Sequence, residues 1–273
     1  MLRWCAWCQK FLGEVPPLNV YHVSHGVCPD CAIKAGDMDE NDKLIDKNKG
    51  IKLFFKDIFQ AVLRREFIKA RELTARAADL GIDDTSLVFG VLQPTLQNIG
   101  LMWETGLIDV GQEHAYTDIV GQTLELLSAK SPHAEDYRQS ARPDIILACV
   151  NGNYHSVGIR MLEYYLAINK VPSYVIAPGV PAAELAATAA KLKPGFIGFS
   201  IAISFQSMEL TNIKKALDAY PAPAPKVYVG GGPIKAGYLP PPELGFLPLT
   251  GFEELLKAIK GGTDGQEYAG PRP

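Results

Sequence analysis

The sequence predicts an α/β protein in which a small cysteine-rich module and a four-helix bundle precede a Rossmann-like, flavodoxin-like parallel sheet. Three observations carry this prediction. Two close pairs of cysteines stand at the start of the chain, apolar residues recur at helical spacing in its middle, and strands alternate with helices in its second half. With 273 residues and 47% hydrophobic content, the chain has room for roughly one to three domains with ordinary cores.

The cysteine-rich module covers about residues 1–35. Its two CxxC pairs are Cys5 with Cys8 and Cys28 with Cys31. This spacing is typical of zinc ribbons and knuckles, in which one turn presents both sulfurs of a pair to a tetrahedral ion. A redox pair and an iron-bound knuckle remain alternatives. His22 and His25 are expected on the surface because four thiolates already fill the shell. Trp4, Trp7 and Phe11 are expected to stiffen the module or to face a partner.

The middle of the chain predicts helices. Apolar residues recur at helical spacing from residue 51 onwards and through residues 66–80, 84–102 and 110–130. Four helices with short connections pack naturally as an antiparallel bundle, which we assign to residues 50–131. Asp109 and Gln112 give the last helix a capping-box start. The charged segment 36–50 and the polar segment 131–142 have the composition of linkers.

The second half of the chain alternates strand and helix. The strand candidates are residues 144–150, 172–177, 195–203 and 226–229. The first of them is hydrophobic throughout, as is typical of a strand buried on both faces. The alternation predicts a parallel sheet with helices on both faces, in a domain of residues 142–261. The last helix is predicted for residues 252–260, and the Gly/Pro-rich tail 262–273 is predicted to be disordered.

Composition excludes several partners. The net charge of −3 provides no basic field for a phosphate backbone, so nucleic acid is not an expected ligand. No apolar run reaches the roughly 18 residues that span a bilayer, and the start of the chain lacks the apolar segment of a signal peptide. A cytoplasmic location is therefore expected, without membrane association.

A strand-to-helix corner at residues 151–158 is the best candidate for a ligand site. It places one imidazole, His155, between two glycines directly after the first strand. Ligands of open α/β sheets bind outside the carboxyl ends of the strands. Residues 200–204 lie at the end of the third strand, residues 230–232 follow the fourth, and both segments reach the same edge. The glycine run lacks the Lys and Ser or Thr of a P-loop and does not fit GxGxxG, which disfavours a dinucleotide enzyme.

Together these loops resemble the cobalamin-binding fold, whose pattern is DxHxxG, then SxL, then GG. The matching positions are Asn153, His155 and Gly158, then Ser200 with Ala202, then Gly230 and Gly231. The resemblance implies that His155 replaces the cofactor's own benzimidazole as the lower ligand of cobalt. It also implies a slot for the displaced nucleotide tail, lined by Gly158, Ser200, Ser204 and the glycine run. Imidazole ligates cobalt well, and glycines let the backbone approach the tail closely.

Two positions depart from that pattern. Asn153 stands where the family has an aspartate that accepts the other ring N–H of the histidine. A neutral amide is a weaker acceptor than a carboxylate, so His155 is expected to be a less basic ligand. Ala202 replaces the leucine of SxL, which predicts a roomier slot for the tail.

The bundle is similar to that of the cobalamin-dependent photoreceptors related to the light-responsive repressors. The spacing Trp103-x9-Glu113-His114 matches the residues that line the adenosyl pocket in those proteins. The resemblance implies that the bundle covers the upper face of the corrin. Glu104 stands where the repressors have a histidine that captures cobalt after photolysis, so His114 is the remaining candidate for an upper-face ligand or contact. The cysteine module replaces the DNA-binding helices of the repressors, so direct DNA binding is not expected.

The resemblance therefore predicts a light sensor that is not itself an enzyme. Adenosylcobalamin is the expected cofactor, and loss of its upper group in light is expected to change conformation or assembly. A homo-oligomer, such as a dimer, and a protein effector are the expected partners, and a bilin is an alternative second chromophore. Two other functions remain open: a corrinoid methyl carrier of a methyltransferase system, and a metal-stapled interaction module that has lost its cofactor.

Overall fold

The computed structural model describes residues 1–17, 22–35, 49–76, 82–219 and 224–262. The chain divides into two compact units, Met1–Lys130 and Ser131–Pro273. From residue 263 onwards, the tail that was predicted to be disordered lies outside the described residues. Residues 36–48 of the first predicted linker also lie outside them. Lys49 and Gly50 belong to a helix instead.

A three-stranded sheet opens the first unit. Its elements are β1 (Leu2–Cys5), β2 (Phe11–Glu14), β3 (Val23–Gly26) and the helix α1 (Pro29–Ala35). Strand β1 is central, antiparallel to β2 and parallel to β3. The β1–β2 turn carries Cys8. Cys28 immediately precedes α1, and Cys31 lies in its first turn. The chain path thus brings both CxxC pairs to one end of the small sheet.

The predicted bundle follows as four helical segments. They are α2 (Lys49–Leu63), α3 (Phe67–Arg76), a composite third segment, and α6 (Val110–Ala129). The third segment consists of α4 (Asp84–Leu87), a π-helical turn (Val88–Leu92) and α5 (Gln93–Glu104). Helix α6 packs against α2, α3 and α5. Asp109 caps it by accepting from the Gln112 backbone N–H at 2.9 Å, so the predicted capping box is confirmed.

The π-helical turn is where the cysteine module packs on the bundle. Trp4 of β1 is fully buried. A Cβ on Gly90 would lie only 2.4 Å from Cζ2 of Trp4 and 2.9 Å from Cγ of Phe11. The Phe11 backbone N–H also donates to Ser86 Oγ at 3.0 Å. Trp4 and Phe11 therefore pack against the bundle of their own chain. For these two residues, the expectation that they face a partner is not met.

A five-stranded parallel sheet forms the second unit. Its strands are β4 (Ile145–Cys149), β5 (Ser173–Ile176), β6 (Phe196–Ile201), β7 (Lys226–Gly231) and β8 (Leu247–Leu249). Its helices are α7 (Pro132–Glu135), α8 (Val157–Ile168), α9 (Ala182–Leu192), α10 (Glu209–Asp218), α11 (Gly232–Lys235) and α12 (Phe252–Gly262). The order β5-β4-β6-β7-β8 is the flavodoxin-like order, so the predicted fold class is confirmed.

The structure differs from the sequence prediction at two places in this unit. Strand β8 was not predicted, because three residues that include Pro248 carry no readable periodicity. The segment 131–142, expected from its composition to be an interdomain linker, begins at the boundary between the two units and is folded into the second unit. It contains α7, which packs on α8, and Tyr137 accepts a hydrogen bond of 2.8 Å from the Ser173 backbone N–H. None of the helices in the described ranges is long and apolar enough to cross a membrane.

Candidate functional site

The register of the sheet aligns the three loops that the sequence singles out. Cys149 at the end of β4 pairs with Ser200 of β6, and Ser200 pairs with Gly230 of β7. The strands that precede the loops thus end at the same edge, and the residues that follow them are neighbours. The switch point of this strand order lies between β4 and β6, where ligands of such sheets bind.

His155 stands exposed on the loop after β4. Its backbone N–H donates to Asn153 Oδ1 at 3.0 Å, and its carbonyl oxygen lies 3.9 Å from the Cys149 Sγ. These contacts hold the main chain and leave the imidazole facing outward. An exposed imidazole on a fixed backbone is suited to ligate a metal ion that arrives from outside the sheet.

The Asn153 side chain contacts the main chain of two loops. Its side chain is fully buried, and Nδ2 donates to the Ser200 carbonyl oxygen at 2.9 Å while Oδ1 accepts from the His155 backbone. Both atoms of the amide thus join main-chain groups of two loops. A carboxylate here would have no N–H to offer to the Ser200 carbonyl oxygen.

Gln206 is a site residue that the sequence reasoning missed. It lies in the 3-10 turn after β6 and is only 5% exposed. Its Oε1 accepts from the Ala202 backbone N–H at 2.7 Å, and its Nε2 donates to the Gly152 carbonyl oxygen at 3.2 Å. The one signal in the sequence was a polar glutamine between Phe205 and Met208, a few residues after a hydrophobic strand, where side chains often close the loop.

The glycines of the predicted slot have two kinds of surroundings. Gly231 adopts φ +116°, and a Cβ there would lie 1.9 Å from the Ile201 carbonyl oxygen, so the fold itself requires glycine. A Cβ on Gly230 would lie 3.3 Å from the Leu249 carbonyl oxygen. At Gly158, in contrast, a Cβ would meet nothing within 4 Å. Protein packing does not explain glycine at this position, and the open space beside His155 can receive a ligand.

Large apolar side chains surround this edge and are exposed. The exposed fractions are 79% for Tyr154, 48% for Ile203, 75% for Phe205 and 65% for Met208. Ser204 is exposed and Ser200 is half-buried. Clustered exposed apolar side chains mark a surface that a ligand or partner covers. A nitrogen donor, an open glycine and an apolar rim together fit a broad, largely apolar metal-bearing ring such as a corrin.

The candidate residues of the bundle lie where α5 leads into α6. Trp103 is 42% exposed in the last turn of α5. Glu113 lies in the first turn of α6, and its Oε1 accepts from Thr117 Oγ1 at 2.8 Å. The side chain of His114 is 71% exposed, with Nε2 at 3.5 Å from Glu113 Oε2. A short connection between packed helices brings the three residues to one end of the bundle.

Comparison with known proteins finds a family match within this bundle. Residues 55–128 match the family model described as B12 binding domain. These residues are therefore similar to a B12 binding domain. The matched residues run from α2 to α6 and include Trp103, Glu113 and His114.

Two curated relatives and one solved structure extend the comparison. The chain is 29% identical over 150 residues to the HTH-type transcriptional repressor CarH of Myxococcus xanthus, covering 54% of this chain and 47% of the relative. It is 27% identical over 144 residues to the repressor CarA of the same organism, covering 52% and 46%. The chain thus spans about half the length of the curated relatives it matches.

The solved structure shows that the fold extends beyond the matched domain. The Methanosarcina barkeri monomethylamine corrinoid protein superimposes with a TM-score of 0.62 at 17% identity. The match covers 77% of this chain and 99% of that chain. At this identity the likeness concerns the fold alone. A helical bundle followed by a parallel Rossmann-like sheet is therefore the fold that this chain shares with that structure.

The four cysteines ahead of the bundle form a cluster that fits a metal ion. Their sulfur atoms all lie within 4.8 Å of one another, and the Cys8 and Cys28 sulfurs are 3.7 Å apart. Four zinc–sulfur bonds of about 2.3 Å in a tetrahedron place the sulfurs about 3.8 Å apart. The thiolate form is also favoured at Cys5. Burial alone would raise the pKa of Cys5, but backbone N–H groups from Cys8, Cys28 and Trp7 outweigh it and lower the pKa to about 6.

A bilin gains no support from the described residues or the comparisons. Cys149, the one cysteine outside the cluster, is buried at the end of β4. Burial raises the pKa of the Cys149 thiol to about 11, so the thiolate that would attach a chromophore is strongly disfavoured.

Proposed function

We propose that this protein binds cobalamin at the carboxyl edge of its sheet, with His155 as the lower ligand of cobalt, and acts as a light-responsive regulator. The observation that carries the proposal is the exposed imidazole on a loop whose backbone is fixed by buried hydrogen bonds. The match to the B12 binding domain and the similarity to two transcriptional repressors support it.

Each remaining candidate residue has an assigned role in this proposal. Gly158, Ser200, Ser204, Gly230 and Gly231 hold the nucleotide tail, because their positions combine open space, hydroxyl groups and close backbone approach. The proposed contacts of the adenosyl group are the bundle residues Trp103, Glu113 and His114. The tryptophan offers a large apolar face, and the carboxylate can accept hydrogen bonds from ribose hydroxyls.

The regulatory step requires a group that responds to light. When bound, adenosylcobalamin supplies a cobalt–carbon bond that visible light cleaves. The chain's own part is to hold His155 in place and to respond through Trp103 and Glu113 when the adenosyl group departs. The response is a change of assembly between copies of this chain or of contact with a protein effector. The net charge of −3 does not favour a nucleic acid partner.

The deciding experiment is spectroscopic. The protein is loaded with adenosylcobalamin in the dark, and its absorption spectrum and its assembly by size-exclusion chromatography are recorded before and after green light. A histidine-ligated spectrum and a light-dependent change of assembly are expected. His155→Ala should lose the histidine-ligated spectrum, whereas His133→Ala, which removes another exposed histidine of the same unit, should keep it. A wild-type protein that retains no corrin would refute the proposal.

A corrinoid methyl carrier is the second candidate. Glu104 favours it, since this residue follows Trp103 where the light-responsive repressors have a histidine. A methyl carrier uses the same lower ligand but needs neither Trp103 nor Glu113. Photolysis at the rate of free cofactor with no change of assembly would support this candidate. So would unchanged cobalamin binding in Trp103→Ala.

The cysteine cluster is assigned to zinc. Its geometry matches tetrahedral thiolate ligation, and zinc is the usual ion of two CxxC pairs. Elemental analysis of the purified protein should find one zinc per chain, and Cys8→Ser should lower that content. Iron in its place would give a coloured cobalamin-free protein, and absence of any bound metal would favour a dithiol redox role.

A further inference from the structure

Gln206 connects two loops of the candidate site through one buried side chain. It occupies the 3-10 turn Ser204–Met208, between the end of β6 and the start of α10. The residues on either side of it in the sequence are more exposed, and Phe205 and Met208 are among the most exposed apolar residues of this unit. The amide of Gln206 thus points inward from a turn whose apolar side chains point outward.

The two ends of this amide serve different loops. Oε1 accepts from the backbone N–H of Ala202 at 2.7 Å and lies 3.4 Å from that of Ile203, so it closes the loop after β6. Nε2 donates to the Gly152 carbonyl oxygen at 3.2 Å, in the loop that carries His155. Gly152 has φ +76°, so the accepting carbonyl belongs to a sharp turn.

The main chain before His155 is held from both sides. The Asn153 carbonyl oxygen accepts from the Gly179 backbone N–H at 3.0 Å, in the loop after β5. On the β6 side, Asn153 Nδ2 and Gln206 Nε2 provide two side-chain hydrogen bonds. Since the ring of His155 is exposed, its position depends on this backbone rather than on contacts of the ring.

We infer that Gln206 is a positioning residue for His155: it fixes the loop after β4 so that the imidazole is oriented for cobalt before the cofactor arrives. The inference rests on the proposed lower-ligand role of His155. It adds a residue outside the three sequence motifs. It also explains how the loop after β4 is held in place, since both amide atoms of Asn153 bond main-chain groups and not the imidazole ring of His155.

Gln206 makes two kinds of hydrogen bond: the one to Gly152, here called the bridge, and the one from Ala202, which closes the turn. Two substitutions distinguish their effects. Gln206→Met has nearly the same shape and loses both functions. Gln206→Glu keeps the acceptor for Ala202 but, when ionised at mildly alkaline pH, has no proton to donate to Gly152. If the bridge positions the loop, both variants lower the ratio of histidine-ligated to histidine-free cobalamin about tenfold, as expected for loss of a buried hydrogen bond. Asn212→Ala, which removes an exposed amide from α10, is the matched control and should leave the ratio unchanged.

A second measurement needs no cofactor. Hydrogen–deuterium exchange of the cobalamin-free protein reports the order of residues 150–158 directly. Faster exchange of this segment is expected in Gln206→Met and Gln206→Glu but not in Asn212→Ala. Wild-type exchange together with a wild-type ligation ratio in Gln206→Glu would overturn the inference, because turn closure alone would then account for Gln206. If the wild-type protein binds no cobalamin, the proposed function fails, and the exchange experiment still decides whether Gln206 holds the loop.

Discussion

Replacing Gly90 by alanine tests how the cysteine module is attached to the bundle. Glycine at this position lets the Trp4 ring approach the π-helical turn. A Cβ would lie 2.4 Å and 2.7 Å from Cζ2 and Cη2 of Trp4. Ring carbons in van der Waals contact are about 3.5–4 Å apart. The fully buried Trp4 ring has no solvent-facing end that could move away cheaply, so the ring or the helix must shift.

The magnitude follows from two opposing terms. Overpacking of a core costs about 1–3 kcal/mol, and a clash this short belongs at the upper end. Alanine in place of glycine returns about 1 kcal/mol in a helix. Gly90→Ala should therefore destabilise the first unit by about 2 kcal/mol. At roughly 4 °C per kcal/mol for a unit of this size, the midpoint falls by roughly 8 °C.

Gly100→Ala is the matched control for this measurement. Gly100 lies in α5 of the same helical run, and a Cβ there would meet nothing within 4 Å. This variant should gain about 1 kcal/mol from helix propensity alone. Thermal unfolding of the metal-loaded, cobalamin-free protein, followed by circular dichroism, compares the two variants. Equal midpoints for Gly90→Ala and Gly100→Ala would refute the packing of Trp4 on the π-helical turn.

Three further outcomes are expected. Gly158→Ala should leave thermal stability unchanged and weaken cobalamin binding in a titration, whereas Gly231→Ala should destabilise the sheet unit by about 3 kcal/mol or more through strain and a backbone clash. Asn153→Asp should cost about 1–3 kcal/mol in denaturant unfolding, since it sets a carboxylate oxygen against the Ser200 carbonyl. Burial raises the pKa of Asp144, so its folded state binds protons more tightly than its unfolded state and loses stability as pH rises through the acidic range. Asp144→Asn should therefore be more stable than wild type at neutral pH, and the advantage should vanish on acidification in pH-dependent unfolding.

Local periodicity predicted most of the fold. The four helical segments of the bundle and the strands β4, β5, β6 and β7 all have patterns that repeat over several turns or residues, and these patterns are properties of contiguous sequence. Strand β8 has three residues and a proline, so its pairing with β7 depends on the neighbouring strand rather than on its own sequence. The folded structure of segment 131–142 was not predicted for a related reason: a polar surface segment and a linker have similar composition.

The candidate site divides in the same way. His155 could be found because a histidine at a strand-to-helix corner stands out in the sequence. The partners of Asn153 and Gln206 could not, because their hydrogen bonds join residues far apart in the chain. Gln206 and Gly152 are separated by 54 positions, and Asn153 and Ser200 by 47. Such contacts exist only once β4 and β6 lie side by side.

The sequence by itself determined the order of the parts, the two cysteine pairs and the position of one imidazole after the first strand of the sheet. Spacing along the chain is enough for these features, since each depends on residues a few positions apart. Only the tertiary structure decided that Trp4 packs against Gly90, that Asn153 binds main chain instead of the imidazole ring, and that Gln206 joins two loops. The physical reason is that buried polar groups and close-packed rings take their partners from whatever the fold brings near, and that choice is not encoded in local spacing.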